Sequence, residues 1–212
     1  ILPDLWIPMA YINGGGMCLK WFRDQLTGGD LSYAELDRET EAIPAGSEGL
    51  IFLPHFGGRV CPNDPYTRGT WIGLSWNHQR AHLYKAIMEG IAYEYRYYLK
   101  VLKGLVKKAE FSEVIAIGGG AKSSVFSEVK ANVLGIRYNP QRVSDTATLG
   151  AALVAGYGVK AFTDLRQATE SLVEQSKGIE PDPAKHEQYQ GYADLYEEMF
   201  PKLAPIFENL AQ

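Results

Sequence analysis

The sequence is poor in cysteine and histidine, and neither residue type forms a disulfide or metal-binding pattern. Cys18 and Cys61 are the 2 cysteines among 212 residues, which is too few for a disulfide framework. We predict that both are reduced thiols in a cytoplasmic protein. His78 and His82 stand four residues apart, but no third ligand accompanies them. We therefore predict no metal ion held by the protein's own side chains.

Long apolar runs and a large charge of one sign are also missing. No run approaches the roughly 18 residues that a membrane-spanning helix needs, so we expect no membrane partner. The net charge of -4 gives no reason to expect nucleic acid as a partner. The sequence is 46% hydrophobic and 22% charged, a balance that is typical of globular domains.

Three consecutive glycines are the most informative feature that is present. Gly118, Gly119 and Gly120 follow a short apolar run and precede a helix-like segment, with Ser123 and Ser124 placed to cap it. Without a Cβ, this backbone can approach a flat or charged ligand, and the first N–H groups of the helix favour negative charge. The pattern predicts a nucleotide-binding edge, although a tight turn that binds nothing would look the same.

Two familiar nucleotide motifs do not fit this corner. The chain has Ser123 where a dinucleotide-binding turn needs a third glycine. Such a turn also needs an acidic residue at the end of the next strand, and the strand predicted over residues 136–139 does not end in one. The phosphate-binding loop of ATPases needs a Gly-Lys-Ser/Thr sequence that does not follow the glycines. An NAD-dependent oxidoreductase therefore remains a less favoured alternative.

The spacing of apolar residues and the positions of glycine and proline predict an α/β chain. A long helix over residues 78–102 has one apolar stripe, and Gly90 within it is expected to allow close approach of a neighbour. Alternating strands and helices after residue 112 predict parallel strands with right-handed crossovers. The other predicted elements are strands over 6–12, 50–53, 70–74, 113–117 and 136–139, and helices over 17–26, 123–134, 146–156 and 183–210. Pro201 and Pro205 are expected to interrupt the end of the last helix.

Four blocks of sequence, in order, resemble one known family. They are residues 16–24, the loop 53–69, the glycine corner 118–124 and the helix 145–156. Together they resemble the second lobe of the FGGY carbohydrate kinases, over about residues 6 to 165, and the xylulose kinase branch is the most similar. The resemblance implies one lobe of the actin/hexokinase/Hsp70-type ATPase fold, which is ribonuclease H-like, with a mixed sheet flanked by helices.

The resemblance also implies an activity. The expected reaction is the ATP-dependent phosphorylation of a sugar or polyol, most readily a pentulose such as xylulose, with ATP and Mg²⁺ as cofactors. The full-length protein is expected to be a homodimer. A non-catalytic nucleotide-binding lobe, as in actin-like proteins, is the alternative.

Six residues match positions that bind the nucleotide in the family. Gly119, Gly120 and Ala121 would line the adenine and ribose, and Ser124 would touch the adenine. Gly16 would lie beside the phosphates, and Lys20 would lie near the nucleotide unless it is simply solvated. Arg59, Asp64 and Arg68 are expected to fix the shape of their loop through a buried Asp–Arg pair.

The catalytic carboxylate of the family belongs to the first lobe, so the resemblance assigns no catalytic residue to this chain. Residues 1–212 would form the C-terminal lobe without its first Gly-Thr hairpin. The first residue is Ile1, and we expect the sequence to be a piece of a longer protein. The piece alone is expected to be inactive.

Overall fold

The protein is described by a computed structural model that covers residues 7–106, 110–141, 145–172 and 177–211. Its elements follow in the order α1 (Gly15–Trp21), α2 (Tyr33–Thr40), β1 (Ile51–Leu53), β2 (Thr70–Ile72), α3 (Arg80–Leu105), β3 (Glu113–Ala116), α4 (Ser124–Leu134), β4 (Arg137–Pro140), α5 (Thr146–Gly158), α6 (Leu165–Leu172) and α7 (Pro183–Leu210). A π-helical turn, Phe22–Leu26, extends α1. Within the described ranges, no helix combines the length and the apolar character needed to cross a membrane.

The strands confirm the predicted α/β character. The described strands form two sheets of two strands each: β1 pairs antiparallel with β2, and β3 pairs parallel with β4. The parallel pair follows from the crossover through α4, because a strand that returns in the same direction needs a helix to carry the chain back. The helix α5 begins as predicted, with the Asp145 carboxylate accepting a hydrogen bond from the Thr148 N–H at 3.1 Å.

The core is built around α3, whose middle is almost entirely buried. Gly90 lies against β1, and a Cβ there would come within 2.1 Å of the Phe52 carbonyl oxygen. The predicted close approach at Gly90 is therefore confirmed. The helix α7 covers another part of α3 with aromatic side chains. The ring of Tyr93 on α3 packs against the rings of Tyr189 and Tyr196 on α7.

Two buried glutamates on α3 tie these elements together. Glu89 accepts hydrogen bonds from the Ser47 hydroxyl at 2.7 Å and the Tyr189 hydroxyl at 3.0 Å. Glu94 accepts one from the Tyr196 hydroxyl at 2.8 Å and two from the Arg59 guanidinium, at 2.9 and 3.2 Å. Hydrogen bonds of this kind satisfy charges that would otherwise be costly to bury.

The prediction of a buried Asp–Arg pair in the loop 53–69 is wrong, because the arginine binds a different acidic residue. The Arg59 guanidinium binds Glu94, and Asp64 meets Arg59 only through backbone hydrogen bonds. The Asp64 carboxylate instead accepts from the Thr67 hydroxyl at 2.6 Å and the Tyr66 N–H at 3.0 Å. Arg68 donates to the Pro65 carbonyl at 2.6 Å. The loop is thus fixed both from within and from α3.

Three other predictions are also wrong, although the predicted bounds of the last helix, 183–210, match α7. Residues 7–12 form no strand, and residue 6 of that prediction lies outside the described residues. Regular structure was not predicted between residues 30 and 48, where α2 lies. Pro201 and Pro205 do not end α7, which continues to Leu210. Burial of Phe200 and Phe207 on either side of the prolines holds the helix where propensity alone would break it.

Candidate nucleotide-binding site

The glycine corner joins β3 to α4 in the way that the sequence predicts. Gly118 has a φ of 82°, which favours glycine, and a 3-10 turn over Gly119–Lys122 follows it. The Ser123 hydroxyl then accepts a hydrogen bond from the Phe126 N–H at 2.9 Å and caps α4. The corner is therefore rigid at both ends, with its backbone exposed between them.

A cavity of about 660 Å³ lies between this corner and the helices α1, α2 and α3. The corner lines it with Gly119, Gly120, Lys122, Ser123 and Phe126, and α1 lines it with Gly16 and Leu19. The other lining residues are Tyr33, Ala34 and Asp37 of α2 and Tyr84 and Met88 of α3. Its size is that of a small-molecule site, and most of its walls are apolar.

The glycines leave room for a ligand at the cavity wall. A Cβ added to Gly16 or to Gly119 would meet no atom within 4 Å, so a side chain at either position would extend into open space. A Cβ on Gly120 would contact the Lys130 amine and the Phe126 ring, both at 3.5 Å. A flat ligand can thus lie directly against the backbone of this wall.

The other three predicted residues lie outside the cavity lining. The ammonium group of Lys20 forms an ion pair with Asp24, and the hydrogen bonds from Lys20 and Arg23 lower the pKa of that carboxylate. Ser124 is exposed, and Ala121 packs against Ala116, Ala131 and Tyr138. The nucleotide contacts of all six residues stay predictions, and the structure brings Gly16, Gly119 and Gly120 together at one cavity.

The contribution of α2 to the cavity was not predicted from the sequence. This helix carries a capping box, in which the Ser32 hydroxyl accepts from the Glu35 N–H and the Glu35 carboxylate accepts from the Ser32 N–H. That Ser-x-x-Glu pattern is a readable helix start, so it could have revealed the helix. No sequence signal could have shown that its next turn faces the glycine corner.

Asp37 of α2 is the unusual polar group of the cavity. Its Oδ1 atom is buried and has no hydrogen-bond partner in the part of the chain that the structure describes. Burial raises the pKa of this carboxyl group, and an interaction with the Ser123 hydroxyl opposes part of that rise, so only the Oδ1 atom lacks a partner. A buried acceptor without a donor is costly, and an amino group on a ligand would supply the missing donor.

Metal binding finds little support among the described side chains, which contain no group of three or more His, Cys, Asp or Glu able to hold an ion. His78 and His82 do face each other. However, Nδ1 of His78 accepts from the Ser75 N–H at 2.8 Å, and Nδ1 of His82 accepts from the Gln79 N–H at 3.1 Å. Their Nε2 atoms therefore carry the hydrogen in the neutral ring, which does not suit a ligand pair.

Comparison with known proteins identifies the family. Residues 1–159 match the FGGY family of carbohydrate kinases, C-terminal domain. The chain is 26% identical to the xylulose kinase of Staphylococcus epidermidis over 210 residues, which are 99% of this chain and 42% of the relative. It is 34% identical to a glycerol kinase of Saccharolobus islandicus over 158 residues, which are 72% of this chain and 30% of the relative.

Solved structures agree with this assignment. The crystal structure of xylulose kinase from Rhodospirillum rubrum is 32% identical in sequence and superposes with a TM-score of 0.80. The match covers 91% of this chain and 39% of that one, so the chain spans about two fifths of the proteins that it resembles. The α/β lobe predicted from the sequence is confirmed, and the chain belongs to the FGGY family of carbohydrate kinases.

Proposed function

We propose that the chain is the nucleotide-binding lobe of an ATP-dependent kinase that phosphorylates a hydroxyl group of a sugar or polyol. The observation that carries the proposal is the cavity at the glycine corner, lined by Gly16, Gly119 and Gly120, in a domain of the FGGY family. The family assignment favours this function over the dinucleotide-dependent oxidoreductase and the non-catalytic lobe.

The cavity residues fit an adenine nucleotide. The open sides of Gly16 and Gly119 leave a wall that a Cβ would fill, and the apolar side chains of Leu19, Met88 and Phe126 suit a flat ring. The orphaned Oδ1 atom of Asp37 suits the amino group of adenine, whereas guanine presents an oxygen at the equivalent position. Bound ATP would supply the phosphoryl group, and this chain would position it.

Magnesium is expected to arrive with the nucleotide. Since the described side chains offer no cluster for the ion, its ligands would come mainly from phosphate oxygens and water, as is usual for Mg²⁺. Phosphoryl transfer asks a protein chiefly for positioning and charge stabilisation. We expect the base that deprotonates the acceptor hydroxyl to lie on the other lobe of the full-length kinase.

D-xylulose is the favoured acceptor, because similarity to a xylulose kinase extends over nearly the whole chain. Glycerol is the second candidate, because a glycerol kinase is more similar over a shorter stretch. The full-length protein should be assayed with both compounds and ATP in a coupled ADP-release assay. The cytoplasmic location and the homodimer stay predictions. Size-exclusion chromatography of the full-length protein would test the homodimer.

The binding site itself is tested with ADP and this chain. Gly119→Leu should place a side chain in the cavity without backbone strain, because Gly119 has no positive φ. We expect isothermal titration calorimetry to show ADP binding by the wild type and binding at least roughly tenfold weaker, about 1.4 kcal/mol, in the variant. Gly104→Leu is the matched control, since a Cβ there also meets open space but lies far along α3.

Unchanged ADP affinity in Gly119→Leu would place the nucleotide elsewhere and overturn the proposed site. The chain alone should show no sugar-dependent turnover, because the base is expected on the other lobe. Turnover by residues 1–212 alone would contradict that part of the proposal.

A further inference from the structure

Lys130 on α4 is a largely buried lysine that has no counter-charge among the described residues. Its side chain is only 5% exposed. Among the residues that the structure describes, its amine forms no ion pair within 4.0 Å and no hydrogen bond. Removing most of the water around an ammonium group is costly when no counter-charge replaces it.

Three aromatic rings of described residues lie near the Lys130 amine. It lies 3.6 Å from the ring centroid of Phe126 on α4, 5.5 Å from that of Tyr138 on β4 and 5.9 Å from that of Tyr95 on α3. Cation–π attraction offsets part of the cost of burial. Burial raises the pKa of both tyrosine hydroxyls, so neither is ionised near neutral pH. Burial also lowers the pKa of Lys130 to about 8, which leaves most of the amine charged at pH 7.

The amine lies directly behind the wall of the nucleotide cavity. It is 3.5 Å from the position that a Cβ on Gly120 would take, and Gly120 and Phe126 both line the cavity. Lys85 of α3 is another strongly buried lysine, but its amine donates to the carbonyl oxygens of Thr40 and Ile43. Lys85 is satisfied by its own surroundings, whereas Lys130 has no such partner among the described residues.

We propose that Lys130 is a positioning residue of this site. Its ammonium group lies behind the Gly119–Gly120 turn and supplies positive charge, which favours the anionic form of a bound nucleotide. The inference rests on the proposed nucleotide site and deepens it. The phosphates, expected beside Gly16 in the same cavity, would supply negative charge that the surrounding rings lack, through the electric field across the cavity and not through direct contact. A neutral nucleoside in the same cavity gains nothing from the charge.

The proposal has a pH signature with a definite sign. A bound anion favours the charged amine and therefore raises its pKa, so ADP binding takes up a proton near pH 8. The gain in ADP affinity is complete below the pKa of the free site and is lost as the pH rises through the pKa of the complex. Adenosine binding should be independent of pH over the same range.

The test measures ADP and adenosine affinities by calorimetry at pH 7.5 and pH 9.5. For the wild type we expect ADP to bind ~3- to 10-fold more weakly at the higher pH, since a shift of one pKa unit corresponds to tenfold. Lys130→Met should weaken ADP by a similar factor at pH 7.5 and remove the pH dependence. Lys130→Arg should keep most of the affinity at both pH values, because arginine stays charged.

Two controls separate charge from shape. Lys202→Met removes an exposed lysine that is paired with Glu198 and should leave both affinities unchanged. Adenosine should bind Lys130→Met as it binds the wild type. Equal losses of adenosine and ADP affinity would mean that the lysine only shapes the turn, and this would overturn the proposal.

The proton uptake can be measured without any variant. At pH 8, the observed enthalpy of ADP binding to the wild type should depend on the ionisation enthalpy of the buffer, and adenosine binding should show no such dependence. ADP binding without proton uptake would refute the role of Lys130 and leave the nucleotide site intact. Failure of the wild type to bind either compound would refute the nucleotide site, and the inference with it.

Discussion

Two regions border α3, and they differ in whether their buried charged groups have partners among the described residues. Where α7 and the loop 53–69 pack on α3, the carboxylates of Glu89 and Glu94 each receive several hydrogen bonds. Around the cavity at the glycine corner, the Oδ1 atom of Asp37 has no hydrogen-bond partner and Lys130 has no anionic partner among the described residues. Buried polar groups are normally paired. The first region therefore has what its fold requires, and the second has the features expected of a ligand site.

The largest effect is expected from breaking the paired region. Arg59→Met would leave Glu94 buried without the guanidinium that binds it at two points. Removing one partner of a buried ion pair typically costs about 3–5 kcal/mol of stability, and urea unfolding would measure the loss. Arg166→Met breaks an exposed pair with Glu170 and should cause no measurable change. Equal stability of the two variants would show that the Arg59–Glu94 pair does not hold the loop.

A smaller effect is expected at Glu89, whose pKa burial raises from 4.5 to about 7. The folded protein then keeps this proton to a higher pH than the unfolded chain does. The free energy of unfolding should therefore fall as the pH rises from about 4.5 to about 7, by roughly 2 to 3 kcal/mol for this group. Glu89→Gln should remove that contribution.

Denaturant unfolding at pH 5, 6 and 7 gives the difference between Glu89→Gln and the wild type. The variant should gain relative stability as the pH rises, because it has no proton to lose. Glu187→Gln alters an exposed glutamate of α7 and serves as the control. A difference that stays constant with pH would show that Glu89 is ionised throughout.

The smallest effect on stability is expected at the cavity. Asp37→Ala removes a carboxylate whose Oδ1 atom has no partner in the described structure, so we expect a stability change within about 1 kcal/mol. ADP should bind roughly tenfold more weakly, the worth of about one hydrogen bond, while GDP should change little. A large loss of stability with unchanged ADP affinity would show that Asp37 stabilises the fold and does not bind the nucleotide.

The sequence predicts the regular parts of the fold well and the lone groups poorly. The apolar stripe of α3 and the alternation of β3, α4 and β4 extend over many residues, so their periods are readable. In α2, Leu36 and Thr40 are the buried residues, and eight residues with so few anchors give no clear period.

The same distinction applies to the candidate site. Blocks of sequence that contain glycine can be matched to those of a family, and the resemblance implied Gly16, Gly119 and Gly120 in that way. The isolation of Asp37 and Lys130 is a property of their three-dimensional surroundings, which no spacing in the sequence encodes. Likewise, the partner of Arg59 is 35 positions away, so the nearer Asp64 was the natural but incorrect expectation.

The hydroxyl groups of Tyr189 and Tyr196 have a practical consequence for anyone who shortens this chain. Both tyrosines come after residue 159, where the family match ends, yet they bind the carboxylates at the centre of the fold. Cutting at that point would strip two donors from buried acids and uncover the aromatic side of α3. The end of the family-model match at residue 159 is therefore not a safe place to end an expression clone.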